Sequence, residues 1–320
     1  MKKIAIVDKI HSDGIKLLEK NQKFQYEIIE DLSKKNLISK LPNFDGITLK
    51  RGKIDSEILE KCKSLKVISR HGVGYDNVDI KFLKKNNITL LVSATTTAVS
   101  PAEHIMFMIL NISKGIDLYD KAVRSGRFDS IMHMKNNNNF ELANKKILIV
   151  GFGRIGRKLI KRCLGFEMKV YAYDPFVDQK TIESFGGIKV NDLNEGLKKT
   201  DILSLSVPLT EKTYNMINLE KIKMMKKSAV IINTSRGGVV NEKDLNEAAN
   251  KGIIFGAGLD VFEKEPPDND NSLLKNKRIV LSPHAATFTN ECRSNMSIET
   301  VQNVIDFFEN KLNKAMIVKL

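Results

Sequence analysis

Gly151, Gly153 and Gly156 follow directly on the apolar run Ile147 to Val150 and precede an amphipathic stretch. A G-x-G-x-x-G set between a strand and a helix lets the backbone turn tightly and approach a pyrophosphate held at the helix N-terminus. The run Lys169 to Tyr173 reads as a second strand and ends in Asp174, close to the roughly 20-residue offset at which an acid meets an adenosine ribose. A carboxylate there accepts from the 2′-hydroxyl and repels a 2′-phosphate, and Pro175-Phe176-Val177 brings no arginine to receive such a phosphate. The expected dinucleotide is therefore NAD rather than NADP.

Further along, polar side chains stand at the exits of apolar runs. Val230 to Asn233 leads into Thr234-Ser235-Arg236-Gly237-Gly238, where the planar fork of Arg236 suits a carboxylate and the glycines leave it room. Ile279 to Ser282 leads into Pro283-His284, and imidazole, with an ordinary pKa of about 6.5, suits proton transfer near neutrality. Between them Gly256 to Asp260 is followed by two acids, Glu263 and Glu265, of which Glu265 is favoured because Pro266 and Pro267 stiffen the backbone after it. Each residue also has a plainer reading: a surface arginine on a turn, a helix-capping histidine, solvated loop carboxylates. Taken together they suit hydride transfer at a hydroxyl carbon beside a carboxylate, with His284 moving the proton and Glu265 favouring its charged form. His11, His71, His104 and His133 have weaker claims, since His71 falls in a glycine-rich turn and His104 in a helix.

The elements that must position these groups alternate along the chain. Short apolar runs at Ile4-Val7, Gly46-Leu49, Val67-Ile68 and Thr89-Val92, separated by amphipathic stretches, predict a parallel α/β layer. A second series of six strands, at Ile147-Val150, Val170-Tyr173, Ile202-Ser206, Val230-Asn233, Gly256-Asp260 and Ile279-Ser282, predicts a doubly wound dinucleotide-binding domain. Pro101 opens an apolar helix to about Ile112, and Asn290 to Lys311 reads as a long closing helix; both read as crossings. The fold expected is α/β with two Rossmann-like domains, a nucleotide domain at residues 100–287 inserted into a flavodoxin-like substrate domain at 1–99 and 288–320. Ligands then belong in a cleft at the carboxyl ends of the strands.

Composition narrows the class. The chain has 320 residues, 42% of them hydrophobic, and its N-terminal apolar stretch runs only from Ile4 to Val7 before Asp8, a buried strand rather than an export signal or a membrane span. Three cysteines, Cys62, Cys163 and Cys292, are odd in number and far apart, which suits a reduced cytoplasmic setting and no metal site. The net charge of +14 raises the question of nucleic acid, but its lysines are scattered with no aromatic-basic cluster, so no nucleic-acid partner is expected. The Asn136 to Asn139 run reads as a solvated loop.

Six blocks in order, Ser69 to Asp79, Gly151 to Gly156, Val207 to Thr213, Ile232 to Val240, Gly258 to Pro267 and Ser282 to Ala286, make the whole chain resemble the D-isomer-specific 2-hydroxyacid dehydrogenases. The resemblance implies an NAD-dependent oxidoreductase that interconverts a D-2-hydroxy acid and its 2-keto acid. It implies that Arg236 binds the substrate carboxylate and carbonyl, that His284 is the general acid/base, and that Glu265 pairs with it. Main-chain amides of Val73 and Gly74 would hold the carboxylate, and those of Arg154 and Ile155 the pyrophosphate. Asp174 would hold the ribose, Asp260 would contact the nicotinamide carboxamide, and Val207 and Thr234 would line the cofactor site. A homodimer formed through the nucleotide domain is also implied.

The chain looks most like the 3-phosphoglycerate dehydrogenase branch, where Lys50 and Arg51 could offer charge to a phosphate; a solvated loop is the competing reading. Two departures bear on the substrate. Ser93 to Ala98 replaces an expected asparagine- and proline-containing stretch, and the end at Leu320 leaves no room for the added regulatory domain of some of these enzymes. Hydroxypyruvate or glyoxylate reduction is the alternative activity. Formate dehydrogenases would call for glutamine in place of Glu265, and a non-enzymatic NAD-sensing regulator of the same fold remains a different class of function.

Overall fold

The computed structural model describes residues 1–134 and 138–320. It divides into two compact units, one formed by Met1–Ala98 with Thr287–Leu320 and the other by Val99–Ala286. Each junction lies one residue before the position at which the sequence reading places it.

In the first unit five strands form one parallel sheet: β1 (Lys2–Val7), β2 (Phe24–Ile29), β3 (Gly46–Leu49), β4 (Val67–Arg70) and β5 (Thr89–Val92), in the order β2-β1-β3-β4-β5. This is the flavodoxin-like order. The inner strands are buried on both faces, so β3 and β4 carry no exposed residue; helices on either side force continuous apolar runs. Strand β2, absent from the sequence reading, is the edge strand, with pattern buried, exposed, half-buried, exposed, half-buried, buried. Its polar Gln25 and Glu27 face solvent, so no apolar run marks it. The closing helix is Asn290–Phe308, ending three residues before the expected Lys311, with Glu309 as its C-cap and Asn310 left-handed at φ 55°.

In the second unit seven parallel strands follow: β6 (Lys146–Val150), β7 (Lys169–Tyr173), β8 (Ile188–Lys189), β9 (Ile202–Leu205), β10 (Val230–Asn233), β11 (Gly256–Leu259) and β12 (Ile279–Leu281), in the order β12-β11-β10-β9-β6-β7-β8. The sequence reading has six of them. The seventh, β8, is a two-residue edge strand whose Ile188 is exposed, too short to give a periodic signal. The chain order reverses beside β6, the switch point at which open α/β sheets bind ligands. The apolar helix Val99–Lys114 packs on the helix Arg154–Gly165, with Met106 Sδ 3.8 Å from Cys163 Sγ, and turns Met108 onto Gly258 of β11.

Asn136 and Asn137 lie outside the described residues. Asn138 is exposed, whereas Asn139 is half-buried and donates to the Lys114 carbonyl (2.7 Å) and to Tyr119 Oη (2.6 Å), so the expected solvated loop is tied down at its end. Among the described residues, no helix is long and apolar enough to cross a membrane.

Candidate active site

The glycine loop sits between β6 and the helix Arg154–Gly165. Gly151 has φ +93°, and a Cβ there would lie 2.4 Å from the Ser206 carbonyl oxygen; only glycine makes this turn without displacing the backbone beyond β9. Gly153 caps the helix with extended backbone and no side-chain cap bond, and a Cβ built on it meets no atom within 4 Å. The first-turn N–H groups of Arg154, Ile155 and Gly156 have no acceptor within the helix, and a phosphate at this end satisfies both the orphan donors and the helix dipole. Asp174, at the end of β7, accepts from the Phe152 amide through Oδ2 and from the Phe176 amide through Oδ1, each at 2.8 Å. This carboxylate fixes the glycine turn, and each oxygen keeps a lone pair for a ribose hydroxyl. Val207 stands beside Gly151. The loop, the uncapped helix and the half-buried acid fit a dinucleotide.

The second cluster lies beyond β10, β11 and β12. Asn233, the last residue of β10, accepts from the Ser235 amide (3.0 Å) and hydroxyl (2.7 Å) and donates to the Arg236 carbonyl (2.9 Å), which locks the turn carrying Arg236. Gly237 then runs so close to the next loop that a Cβ would lie 1.9 Å from the Phe262 carbonyl oxygen. That approach draws the turn carrying Arg236 toward the loop carrying Glu265. Thr234 is buried in the same turn.

His284 Nδ1 lies 2.8 Å from Glu265 Oε2, and Glu265 Oε1 accepts from the Phe262 amide at 3.1 Å. The two side chains are 47% and 38% exposed, open enough for a substrate to reach them. Burial pushes the Glu265 carboxyl up, but the His284 hydrogen bond and charge, the Phe262 amide and the Arg236 charge together hold it below the ordinary glutamate range. Glu263, the competing acid, is instead tied to Glu242, the carboxylate of each accepting from the main-chain amide of the other. Structure thus brings Arg236, Glu265 and His284 into one electrostatic group across three strand exits.

Asp260 sits deeper. It is fully buried, and its carboxylate accepts from Ser282 Oγ (2.5 Å) and the Ala285 and Ala286 amides (2.7 and 3.0 Å), with His104 Nε2 at 3.4 Å. Burial raises its carboxyl, but these donors outweigh it and hold the group below the usual carboxylate range. The residue expected against the nicotinamide therefore acts here as the anchor of the loop that carries His284.

In the first unit, Val73 and Gly74 follow β4 in a loop turned by Gly72, and the Val73 side chain is 50% exposed. Arg70 braces that loop: its Nε donates to the Gly74 carbonyl (2.7 Å), and Nη1 donates to the carbonyls of Leu49 and Lys50 after β3. Arg51 is bound to Asp8, with Nε 2.5 Å from Oδ2 and Nη2 3.3 Å from Oδ1, while Lys50 Nζ donates to the Lys9 carbonyl (2.8 Å) and lies 3.6 Å from Asp8. Much of the cationic charge expected to meet a phosphate is thus offset by one buried carboxylate. The Ser93 to Ala98 stretch is held by Glu299, whose carboxylate accepts from the Thr95 amide and from the hydroxyls of Thr95 and Thr96.

Arg70, Asp8, Ser282 and His104 are the contributors that sequence reasoning passed over. Only His104 leaves a local trace: Ser100 and His104, one turn apart, are polar positions on one face of a largely apolar helix.

A family model described as the D-isomer specific 2-hydroxyacid dehydrogenase NAD binding domain matches residues 106–286. The D-3-phosphoglycerate dehydrogenase of Methanocaldococcus jannaschii is 37% identical over 294 residues, which cover 92% of this chain but 55% of that protein. The chain thus spans about half the length of the phosphoglycerate dehydrogenases it matches, a second of which is covered over 57% of its length. The glyoxylate reductase of Thermococcus litoralis is 36% identical, with 99% of this chain and 97% of that protein covered. The crystal structure of D-lactate dehydrogenase from Aquifex aeolicus, complexed with NAD and lactic acid, superposes with TM-score 0.87 at 28% identity, covering 98% of both chains. Together with the glycine turn at β6 and the three strand-exit residues, these matches make the chain a member of the D-isomer-specific 2-hydroxyacid dehydrogenase family.

Proposed function

We propose that the protein interconverts a short D-2-hydroxy acid and its 2-keto acid with NAD. The observation that carries this reading is the 2.8 Å pairing of His284 Nδ1 with Glu265 Oε2 at the exit of β12, beside the charge of Arg236. With Nδ1 directed at the carboxylate, Nε2 is the nitrogen that hands a proton to the carbonyl oxygen in reduction and takes it from the hydroxyl in oxidation. Arg236 holds the substrate carboxylate. NAD, held by the uncapped helix at Gly153 with Asp174 on its ribose and Val207 and Thr234 beside it, supplies the hydride acceptor or donor.

The substrate class favoured is unphosphorylated, in the size range of glyoxylate or hydroxypyruvate, because Arg51 and Lys50 already face Asp8. The second reading, 3-phosphohydroxypyruvate, is supported by the 37% identity to a phosphoglycerate dehydrogenase. A panel of glyoxylate, hydroxypyruvate, pyruvate and 3-phosphohydroxypyruvate, followed by NADH absorbance, tests both. Preference for the phosphorylated acid overturns the first reading in favour of the second; no turnover with any member favours the non-enzymatic regulator.

The reading includes a homodimer. In the second unit Phe107, Ile116, Leu118, Val123 and Phe128 are each about half exposed on the helices after Val99, next to a cavity of about 720 Å³ lined by Met106, Leu110 and Phe166. A second copy would cover this apolar face, and sedimentation at micromolar concentration reads it. A cytoplasmic location is supported by three free, buried cysteines, with burial pushing the Cys62 and Cys163 thiols up to about 11 and about 12.

A further inference from the structure

We propose that His104 is a positioning residue that holds His284 in its working conformation through Ser282 and Asp260; this rests on the acid/base reading of His284. His284 adopts φ +52°, a left-handed conformation that side chains other than glycine rarely take, and such backbone persists only where its surroundings hold it. Its own amide donates to the Asp260 carbonyl at 2.8 Å, and the next two amides, of Ala285 and Ala286, donate to the Asp260 carboxylate. The turn is therefore built on Asp260.

Asp260 is in turn held from the helix Val99–Lys114. Ser282 Oγ has a single hydrogen, and its 2.5 Å approach to Asp260 Oδ1 directs that hydrogen to the carboxylate. Toward His104, 2.9 Å away, the hydroxyl can then only accept, so His104 carries its proton on Nε2. The result is a directed chain, His104 Nε2–H to Ser282 O–H to Asp260. One turn before His104, Ser100 donates to the Ala286 carbonyl at 2.6 Å, so the same helix face holds both ends of residues 282–286. His104 is only 16% exposed and stands 178 positions before Ser282 in the chain, which makes this a tertiary device rather than a local cap.

Removing the Nε2–H donor frees the Ser282 hydroxyl to turn away from Asp260 and loosens the turn at His284. His104→Leu should lower kcat roughly 10- to 100-fold, the scale on which small displacements of a proton-transferring group act, with the NADH dissociation constant measured by fluorescence unchanged. His104→Gln, which keeps an N–H donor within reach of Ser282, should recover most of that loss. Independently of any turnover, hydrogen exchange at the Ala285 and Ala286 amides should be slow in wild type and His104→Gln and fast in His104→Leu. Should His104→Leu not fold, Ser282→Ala removes only the middle hydroxyl and is read the same way. Equal amide protection in all variants, an unchanged kcat in His104→Leu, or a His104→Gln enzyme as impaired as His104→Leu would each overturn the proposal. A wild-type enzyme without 2-keto acid turnover defeats the acid/base reading alone, and the exchange result still decides the network.

Discussion

The carboxyl edges of the two parallel sheets are built on the same plan and use their polar residues in opposite ways. At the edge of the first sheet, side-chain charge is turned on the protein itself: Arg51 on Asp8, Arg70 on three carbonyls, Glu299 on Thr95 and Thr96. His71 there is buried against Thr300 at 3.2 Å, and burial, with the charges of Lys50 and Arg70, pulls its imidazole down to about 3, so it stays neutral. At the second sheet's edge the Glu265–His284 pair is between a third and a half exposed, and Gly153 opens on empty space. Two parallel sheets of different strand order thus divide their polar groups: the first spends its side-chain charge on holding its own loops, and the second leaves an acid–imidazole pair open at its edge.

Breaking the second edge should have the largest effect. His284→Ala should lower kcat by about 10³-fold, within the range general acid/base groups supply, while NADH still binds; unchanged turnover removes its role. Arg236→Gln should lower kcat/KM for the keto acid by about 10²-fold through the lost bidentate carboxylate contact, and a variant with wild-type KM and kcat would show that the carboxylate binds elsewhere.

The first edge should answer in stability rather than rate. Above pH 6.5 His71 is neutral in both folded and unfolded chains. Below 6.5 the unfolded chain binds a proton that the native state refuses until about pH 3, so stability falls with pH by up to about 1.4 kcal/mol per unit. Between pH 7 and pH 5 that is about 2 kcal/mol, a window above the titration of Asp8 and Glu265, both of which are shifted downward. Urea unfolding at the two pH values should show the drop in wild type and much less of it in His71→Gln; equal drops would move its cause to another group.

Smaller effects sharpen the comparison. Asp174→Ala should narrow the preference for NADH over NADPH by about tenfold, the weight of one charge-assisted contact, and steady-state KM values for the two cofactors check it. Arg51→Ala should leave kcat/KM for glyoxylate and hydroxypyruvate within about twofold, because its guanidinium is engaged by Asp8 rather than offered to a ligand. A large loss confined to 3-phosphohydroxypyruvate would instead restore Arg51 as a phosphate ligand.

Much of this architecture was legible in the chain. Strands buried on both faces write themselves as continuous apolar runs, so β1, β3, β5 and β6 are visible without coordinates, as are the glycine turn and the residues at strand exits. The edge strands β2 and β8 were not, because a half-exposed or two-residue strand leaves no such run. Arg236, Glu265 and His284 could be named because each directly follows a recognisable strand or its loop.

The sequence by itself determined the fold class, the family and which polar residues stand at the strand exits, since these depend on local periodicity and on short motifs whose geometry travels with them. Which charges remain available to a ligand was decided only by tertiary structure. Asp8 reaches Arg51 across 43 residues because β1 and β3 are hydrogen-bonded neighbours in a parallel sheet, and His104 reaches Ser282 across 178 because the helix Val99–Lys114 packs against β11 and β12. A charge is offset, or a turn held, by whatever lies within a few ångströms, and that distance is set by the packing of elements and not by their order along the chain.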